Sequence, residues 1–333
     1  MQMQQICIVS FYIGDLPRYM SFFVDSARRN STVDFLIFND TIRSDRQEGN
    51  IRFVKITLSD FNVLAKHKLE LPVHVSSGWK LNEFKPAFGL IFEDYLKDYD
   101  FWAWSDIDVI WGDLRHFLTE DLLKGTDVVV PKTKWTTGHF TLIRNSPLGV
   151  RLFQHSPSYK KIFFQDEYVA FEESCHRWEG TFYTIDELVR NREFVSMFDV
   201  VKNLHAEKKI HATFQEMMRE YPQLFNFQFD RGTWTDLNDG SVFMYFHLIV
   251  VKKIWRFYIP AWKVIPERYH VNALGFQTPG QAKGLGRVAW WLSRGWFCFR
   301  GILTSVRKQR MTMGDMVRKI VTRKEKASHV ISV

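Results

Sequence analysis

The chain has 333 residues, 46% hydrophobic and 25% charged, which suits one large domain or two modest ones and excludes a disordered or low-complexity protein. Its net charge of +8 is uneven: residues 283–333 hold twelve of the 45 Lys and Arg but two of the 37 Asp and Glu, leaving 33 bases and 35 acids elsewhere. The basic character therefore belongs to the tail and says little about the ligand of the main body. Cys7, Cys175 and Cys298 form neither a disulfide framework nor a zinc spacing, and fit a reducing compartment. Residues 1–11 lack a basic region ahead of a long apolar run, so no signal peptide is expected. No run of about 18 apolar residues is available to span a membrane. Aromatics reach 16%, with 30 Phe and 12 Trp, which suits deep packing and stacking surfaces for sugars or bases.

Residues 6–11 form a short β-branched run that stops at Tyr12-Ile13-Gly14-Asp15, a buried strand followed by a turn. Residues 16–28 predict a helix with Tyr19, Phe22, Phe23 and Ala27 on one face. Residues 34–38 predict a second strand, ended by Asn39-Asp40, and 51–56 a third. Residues 82–96 predict a helix with Pro86 in its first turns, where proline is tolerated. Residues 101–105 predict a fourth strand and 127–130 a fifth, stopped by Pro131. This alternation predicts an α/β fold with a mostly parallel sheet flanked by helices. Ligands of such sheets sit beyond the carboxyl ends of the strands, here at Tyr12–Asp15, Asn39-Asp40 and Ser105–Asp108. Beyond residue 150 the pattern is mixed: 190–220 is helical in part, and 225–229 and 241–246 read as strands. The turn-rich Gln277-Thr278-Pro279-Gly280 separates a main domain, 1–280, from a tail, 281–333.

The central feature is FWAWSDIDVIWGD at 101–113. A D-x-D is a weak motif by itself, and Asp98 and Asp100 form another in a polar turn. Asp106 and Asp108 differ by following an apolar strand. Two carboxylates there repel each other unless a cation or hydrogen bonds compensate. A hard divalent cation, Mn²⁺ or Mg²⁺, is the natural compensator and leaves positions open for substrate phosphates. The plainer alternative is that both cap the loop and the helix near Leu114.

Residues 80–117, KLNEFKPAFGLIFEDYLKDYDFWAWSDIDVIWGDLRHF, resemble the core of bacterial GT-A-type glycosyltransferases of polysaccharide biosynthesis. The shared pattern is K-L-x-[DE]-F-K-P, a helix ending in a Tyr-Asp turn, then an aromatic strand into D-x-D and G-D-[LI]. The likeness extends loosely over residues 5–270 and leaves out the tail. It implies a GT-A, Rossmann-like sheet and transfer of a hexose from a UDP-sugar to a glycan acceptor, lipid-linked or free, in O-antigen or capsule biosynthesis.

By the same resemblance Asp106 and Asp108 hold the metal against the donor diphosphate, Asp108 as direct ligand and Asp106 also at the ribose. His247, after an apolar strand, is a third ligand or else a core histidine. Lys85, at a helix start, pairs with the diphosphate or else lies at the surface beside Glu83, with Lys80 a second candidate. Tyr12, Gly14, Asn39 and Asp40 hold base and ribose. Asp166 and Glu167 supply the base that deprotonates the acceptor, or hold donor hydroxyls, or merely open a helix over 166–174. Gly138 and His139, in the loop 136–140, line the donor sugar and acceptor, His139 bonding a hydroxyl or capping the loop.

A nucleotidyltransferase shares this metal logic but carries a glycine-rich basic loop after its first strand, where this chain has FYIGDLP. A nucleic-acid-binding protein would have to act through the tail alone, and no nucleic-acid partner is expected. The tail interleaves Trp290, Trp291, Trp296, Phe297 and Phe299 with Arg287, Arg294, Arg300 and Arg307. That pattern predicts helices lying on an anionic membrane surface, and so a cytoplasmic enzyme peripheral to the inner face of the membrane. The alternatives are a helix pair packed on the domain or a docking helix for a partner protein.

Overall fold

The structure is a computed structural model that describes residues 3–178, 188–190, 193–220, 225–253 and 257–282. The chain divides into two compact units, Met1–Phe276 and Gln277–Val333. Of the second, residues 277–282 are described, with a helical turn over Pro279–Ala282. The expected tail helices fall outside the described residues.

The strands, in chain order, open with β1 (Ile6–Tyr12), β2 (Asp34–Asn39), β3 (Arg46–Glu48), β4 (Ile51–Lys55), β5 (Phe101–Ser105) and β6 (Val109–Trp111). Next come β7 (Val128–Val130), β8 (Phe140–Arg144), β9 (His176–Trp178), β10 (Leu188–Arg190), β11 (Ala212–Phe214) and β12 (Met218–Arg219). The last are β13 (Asn226–Asp230), β14 (Thr233–Asp236), β15 (Val242–Phe243), β16 (Tyr245–His247), β17 (Arg268–Asn272) and β18 (Gly275–Gln277).

An eight-stranded sheet in the order β11-β7-β8-β5-β1-β2-β4-β3 forms the spine. The pairs β5–β1, β1–β2, β2–β4 and β11–β7 are parallel. The sheet is therefore the mostly parallel α/β sheet expected from the sequence. One departure is β8, inserted antiparallel between β5 and β7.

Both faces of the spine are covered, which explains why its strands read as continuous apolar runs. Cys7, Val9, Trp102 and Trp104 point to one core, against Phe61, Ala65 and Leu69 of the helix Leu58–Leu69. Ile6, Ile8, Phe101 and Ala103 point to the other, against Phe23 and Ala27 of the helix Met20–Arg29. That second helix does not bury one stripe. Phe22 packs into a separate cluster with Trp234 and Tyr269 of the sheet β15-β14-β13-β17-β18.

Residues 82–96 are not the single helix expected. A 3₁₀ segment, Asn82–Ala87, passes into helical turns at Phe88–Ile91 and Glu93–Leu96. Pro86 withholds an N–H and disfavours helical backbone at Lys85. Gly89 brings the segment onto the sheet, where a Cβ would sit 2.5 Å from Trp102 Cζ2. Among the described residues no helix is long and apolar enough to cross a membrane.

Candidate active site

Asp106 and Asp108 leave the carboxyl end of β5, and three pairings converge on them. In β8, Phe140 lies opposite Ser105, so His139 stands beside Asp106 and its carbonyl accepts the Asp106 N–H at 3.4 Å. In β16, His247 lies opposite Val109, one residue past Asp108. The Leu248 N–H closes that approach on the Asp108 carbonyl at 2.8 Å. In β12, parallel to β16, Arg219 lies beside Phe246, so Glu220 falls in line with His247.

Each D-x-D carboxylate has one oxygen tied to a lysine. Lys85 Nζ lies 2.5 Å from Asp106 Oδ1, and Lys252 Nζ lies 2.5 Å from Asp108 Oδ2. The remaining oxygens face one imidazole: His247 Nε2 is 3.4 Å from Asp108 Oδ1 and 4.0 Å from Asp106 Oδ2. His247 Nε2 is buried and has no hydrogen-bond partner. On its other side His247 Nδ1 lies 3.1 Å from Glu220 Oε1. An imidazole whose Nδ1–H donates to a carboxylate presents Nε2 as a lone pair, the usual arrangement behind a metal-binding histidine. One oxygen from each aspartate and one nitrogen of His247 lie within 4.8 Å of one another, a donor set that suits a hard divalent cation.

Glu220 organises the back of the site. Its Oε1 also lies 3.1 Å from His139 Nε2, and its Oε2 pairs with Lys132 at 2.9 Å. His139 Nδ1 meets the Tyr245 hydroxyl at 2.8 Å. Both nitrogens of His139, expected to bond a sugar hydroxyl or cap the loop, are engaged by Tyr245 and Glu220 inside the protein. Burial, together with His247, lowers its pKa to about 4, so it is neutral.

The charges balance locally. Burial alone would raise the Asp108 carboxyl, but His247 and Lys252 hold it well below the usual range. Burial likewise opposes ionisation of Glu220, and Lys132 and the histidines override it. Asp108 and Glu220 raise His247 to about 9 against the effect of burial, so without a cation Nε2 carries a proton toward Asp108, and a metal ion would bind there by displacing it. Lys85 is buried, not a surface lysine, and Asp106 keeps it charged against its desolvation.

Asn39 and Asp40 shape the loop after β1. The Asn39 amide donates to the carbonyls of Tyr12 at 2.7 Å and Gly14 at 2.9 Å, and its oxygen accepts from the N–H groups of Thr41 and Ile42, each at 3.1 Å. Both amide hydrogens of Asn39 are thus used inside the protein, where they fix the loop expected to hold base and ribose. Asp40 Oδ1 accepts the Gly14 N–H at 2.7 Å, and Gly14 adopts φ +99°, a conformation that favours glycine. Tyr12 and Gly14 therefore line a tied loop at the carboxyl edge of the sheet.

A second group of carboxyls lies behind Lys85. Glu83 is buried and accepts the N–H groups of Val169 and Phe171. Glu172 is buried, accepts from the Tyr168 hydroxyl at 2.7 Å through Oε1, and leaves Oε2 without a hydrogen-bond partner. Burial, helped by the Glu83 charge, holds the Glu172 carboxyl well above the usual range. Glu172 and Glu173 close over Gly138, where a Cβ would sit 3.1 and 3.0 Å from their Oε1 atoms. The Gly138 carbonyl accepts from Lys85 Nζ at 2.8 Å.

Asp166 and Glu167 are exposed, on a bend after the helix Tyr159–Phe164, and no helix spans 166–174. Their charges act on the buried Lys80, whose Nζ donates to the carbonyls of Ile162 at 2.6 Å and Glu167 at 3.2 Å. The structure thus gathers Asp106, Asp108, His247, Lys85, Gly138 and His139, and places Asp166 and Glu167 on the exposed bend at 165–167. Sequence reasoning missed Lys132, Glu172 and Glu220, none of which stands in a motif. Lys252 was in view only as a neighbour of His247.

A model of a family described as of unknown function (DUF6625) matches residues 8–270. No curated protein matches the chain. Among solved structures the chain is similar to the apo form of the glycosyltransferase GlyE of Streptococcus pneumoniae TIGR4, at 12% identity and a TM-score of 0.34 over 63% of this chain. It spans 45% of that protein, under half its length. It is also similar to the galactosyltransferase LgtC in complex with donor and acceptor sugar analogues, at 13% identity and TM-score 0.32, covering 64% of this chain and 75% of that one. Mouse xyloside xylosyltransferase 1 is a third, at 9% identity and TM-score 0.35, with 66% and 88% covered.

Proposed function

We propose that this chain, which belongs to the DUF6625 family of unknown function, is a metal-dependent glycosyltransferase. It takes a hexose from a UDP-sugar and passes it to a glycan acceptor of bacterial surface polysaccharide, O-antigen or capsule. The observation that carries this reading is the convergence of Asp106 Oδ2, Asp108 Oδ1 and the partnerless His247 Nε2 at the carboxyl end of the central sheet.

Mn²⁺ or Mg²⁺ held by Asp106, Asp108 and His247 would stabilise the charge that gathers on the diphosphate leaving group. Glu220 holds the Nδ1 proton of His247 and so keeps Nε2 directed at the two aspartates. Lys252 is the most exposed of the three site lysines, its side chain 24% accessible, and is placed to meet a diphosphate. Lys85 sits deeper and fixes the Asp106 carboxylate against the Gly138 carbonyl. The Tyr12–Gly14 loop, held in shape by Asn39 and Asp40, forms the wall against which the nucleoside would lie. It has one glycine and no lysine, which weighs against a nucleotidyltransferase.

The main domain carries the chemistry, and the basic tail holds the enzyme on the anionic inner face of the cytoplasmic membrane, near a lipid-linked acceptor. The deciding experiment is hydrolysis of a panel of UDP-sugars with Mn²⁺, with and without EDTA. Release of UDP from one donor, abolished by EDTA, is expected. No release from any donor, or release indifferent to EDTA, would refute the reading.

A further inference from the structure

Trp79 is 66% exposed, whereas Trp102, Trp104, Trp111 and Trp234 are fully buried. The exposed ring is not loosely placed. Its indole lies flat on the Tyr168 ring, with centroids 5.3 Å apart and planes 7° from parallel. Tyr168 is itself pinned by the hydrogen bond to Glu172 that flanks Gly138. Gly138 in turn meets Lys85, and Lys85 meets Asp106. An unbroken run of contacts therefore joins Trp79 to the D-x-D. Beside it, Gly78 approaches Ile13 in the loop after β1, where a Cβ would lie 3.4 Å from the Ile13 Cβ. Trp79 thus stands at the carboxyl edge of the sheet. Lys80, the next residue, ties down the segment 162–167, on which the exposed Asp166 lies near enough for its charge to act on Lys80.

A flat, rigidly backed indole, with an exposed carboxylate on the segment tied to the neighbouring Lys80, has the chemistry of a sugar subsite. The C–H face of a pyranose packs on the ring, and the carboxylate accepts from its hydroxyls. The carboxylates nearby would repel a nucleoside diphosphate, so a neutral sugar suits this surface better than the donor nucleotide.

We infer that Trp79, backed by Tyr168, is the platform on which the acceptor sugar stacks, with Asp166 receiving its hydroxyls. This inference rests on the glycosyl-transfer reading above. It changes the part given to Asp166, from base to acceptor binding.

The test is saturation-transfer NMR on the full chain, with methyl glycosides of glucose, galactose, mannose and N-acetylglucosamine as probes. UDP with Mn²⁺ is measured on the same samples. At least one glycoside should bind the native chain. Its affinity should fall by roughly tenfold in Trp79→Ala, the scale of one aromatic face contact. Tyr168→Phe, which keeps the ring stack, should retain binding, and Trp79→Phe should fall between. UDP affinity should be unchanged throughout. No glycoside binding to the native chain, or equal binding by Trp79→Ala, would overturn the inference. Lost UDP affinity with glycosides unaffected would also overturn it and make the ring a nucleobase platform. Failure of UDP to bind the native chain would instead refute the glycosyl-transfer reading, while the glycosides still report on Trp79. If Trp79→Ala does not fold, Trp79→Phe and Asp166→Asn decide, and unchanged glycoside affinity in both overturns the inference.

Discussion

Replacing Glu220 by glutamine isolates the role of the group behind His247. The native carboxylate has Oε1 at 3.1 Å from both His247 Nδ1 and His139 Nε2, and Oε2 at 2.9 Å from Lys132 Nζ. Glutamine keeps the shape but has one acceptor oxygen and one N–H₂ group. Whichever way the amide turns, its N–H₂ faces either two imidazole donors or the Lys132 ammonium. Removing one partner of a buried ion pair costs about 3–5 kcal/mol, and less is expected here because Glu220 is only half-buried. The effect on metal binding is separate. Losing the carboxylate that orients a ligating histidine typically lowers metal affinity about 10–100-fold, or about 1.4–2.7 kcal/mol. Calorimetric titration of Mn²⁺ in the presence of UDP, run well below the unfolding temperature, should show that drop. Thermal unfolding without ligand measures the stability term in parallel. If unfolding shifts while Mn²⁺–UDP affinity stays native, Glu220, His139 and His247 form only a structural hydrogen-bond cluster, and His247 is not a metal ligand.

Asp108→Ala should lower UDP-sugar turnover by roughly 10²–10³, the scale of removing one group that stabilises developing charge; near-native turnover in EDTA would refute metal-dependent chemistry at this site. Gly89→Ala should destabilise by about 1–3 kcal/mol through overpacking on Trp102, less the helix propensity gained, as measured by urea unfolding. A more stable variant would refute that packing. Glu83 is pushed up to about 7, chiefly by burial, from an ordinary carboxyl value of 4.5, so the folded chain holds this proton to higher pH than the unfolded one. Its contribution is full below about 4.5 and lost as pH rises through about 7, so Tm should fall over that window, and less steeply in Glu83→Gln; equal slopes would show that Glu83 does not titrate there. The full chain should sediment with anionic liposomes at low salt and be released at high salt, while a chain ending at Gly280 should not bind. Equal binding by both, or by neither, would remove the membrane role of the tail.

What could be read from the sequence was local. The runs at β1, β2, β4, β5 and β7 are short, apolar and closed by turn residues, because strands covered on both faces carry their own signature. The same logic made Asp106-Ile107-Asp108 stand out from Asp98-Tyr99-Asp100, two carboxylates after a buried strand rather than in an exposed turn. His247 was visible because it ends an apolar run.

The tertiary structure decided what surrounds them. β8 is apolar enough to be a strand, but nothing in it states that it pairs antiparallel with β5 and so carries His139 to Asp106. Glu220 follows a strand of two residues and gains meaning only from the register of β12 on β16 and β16 on β6. Lys132 matters because Glu220 lies across from it, 88 residues away. In the broken helix at 82–96 Pro86 is a local cause, whereas the close seat of Gly89 against the Trp102 indole on β5 is a tertiary one. Strand pairing is set by which faces are buried together, and a residue's own neighbours in sequence carry no record of the partner strand.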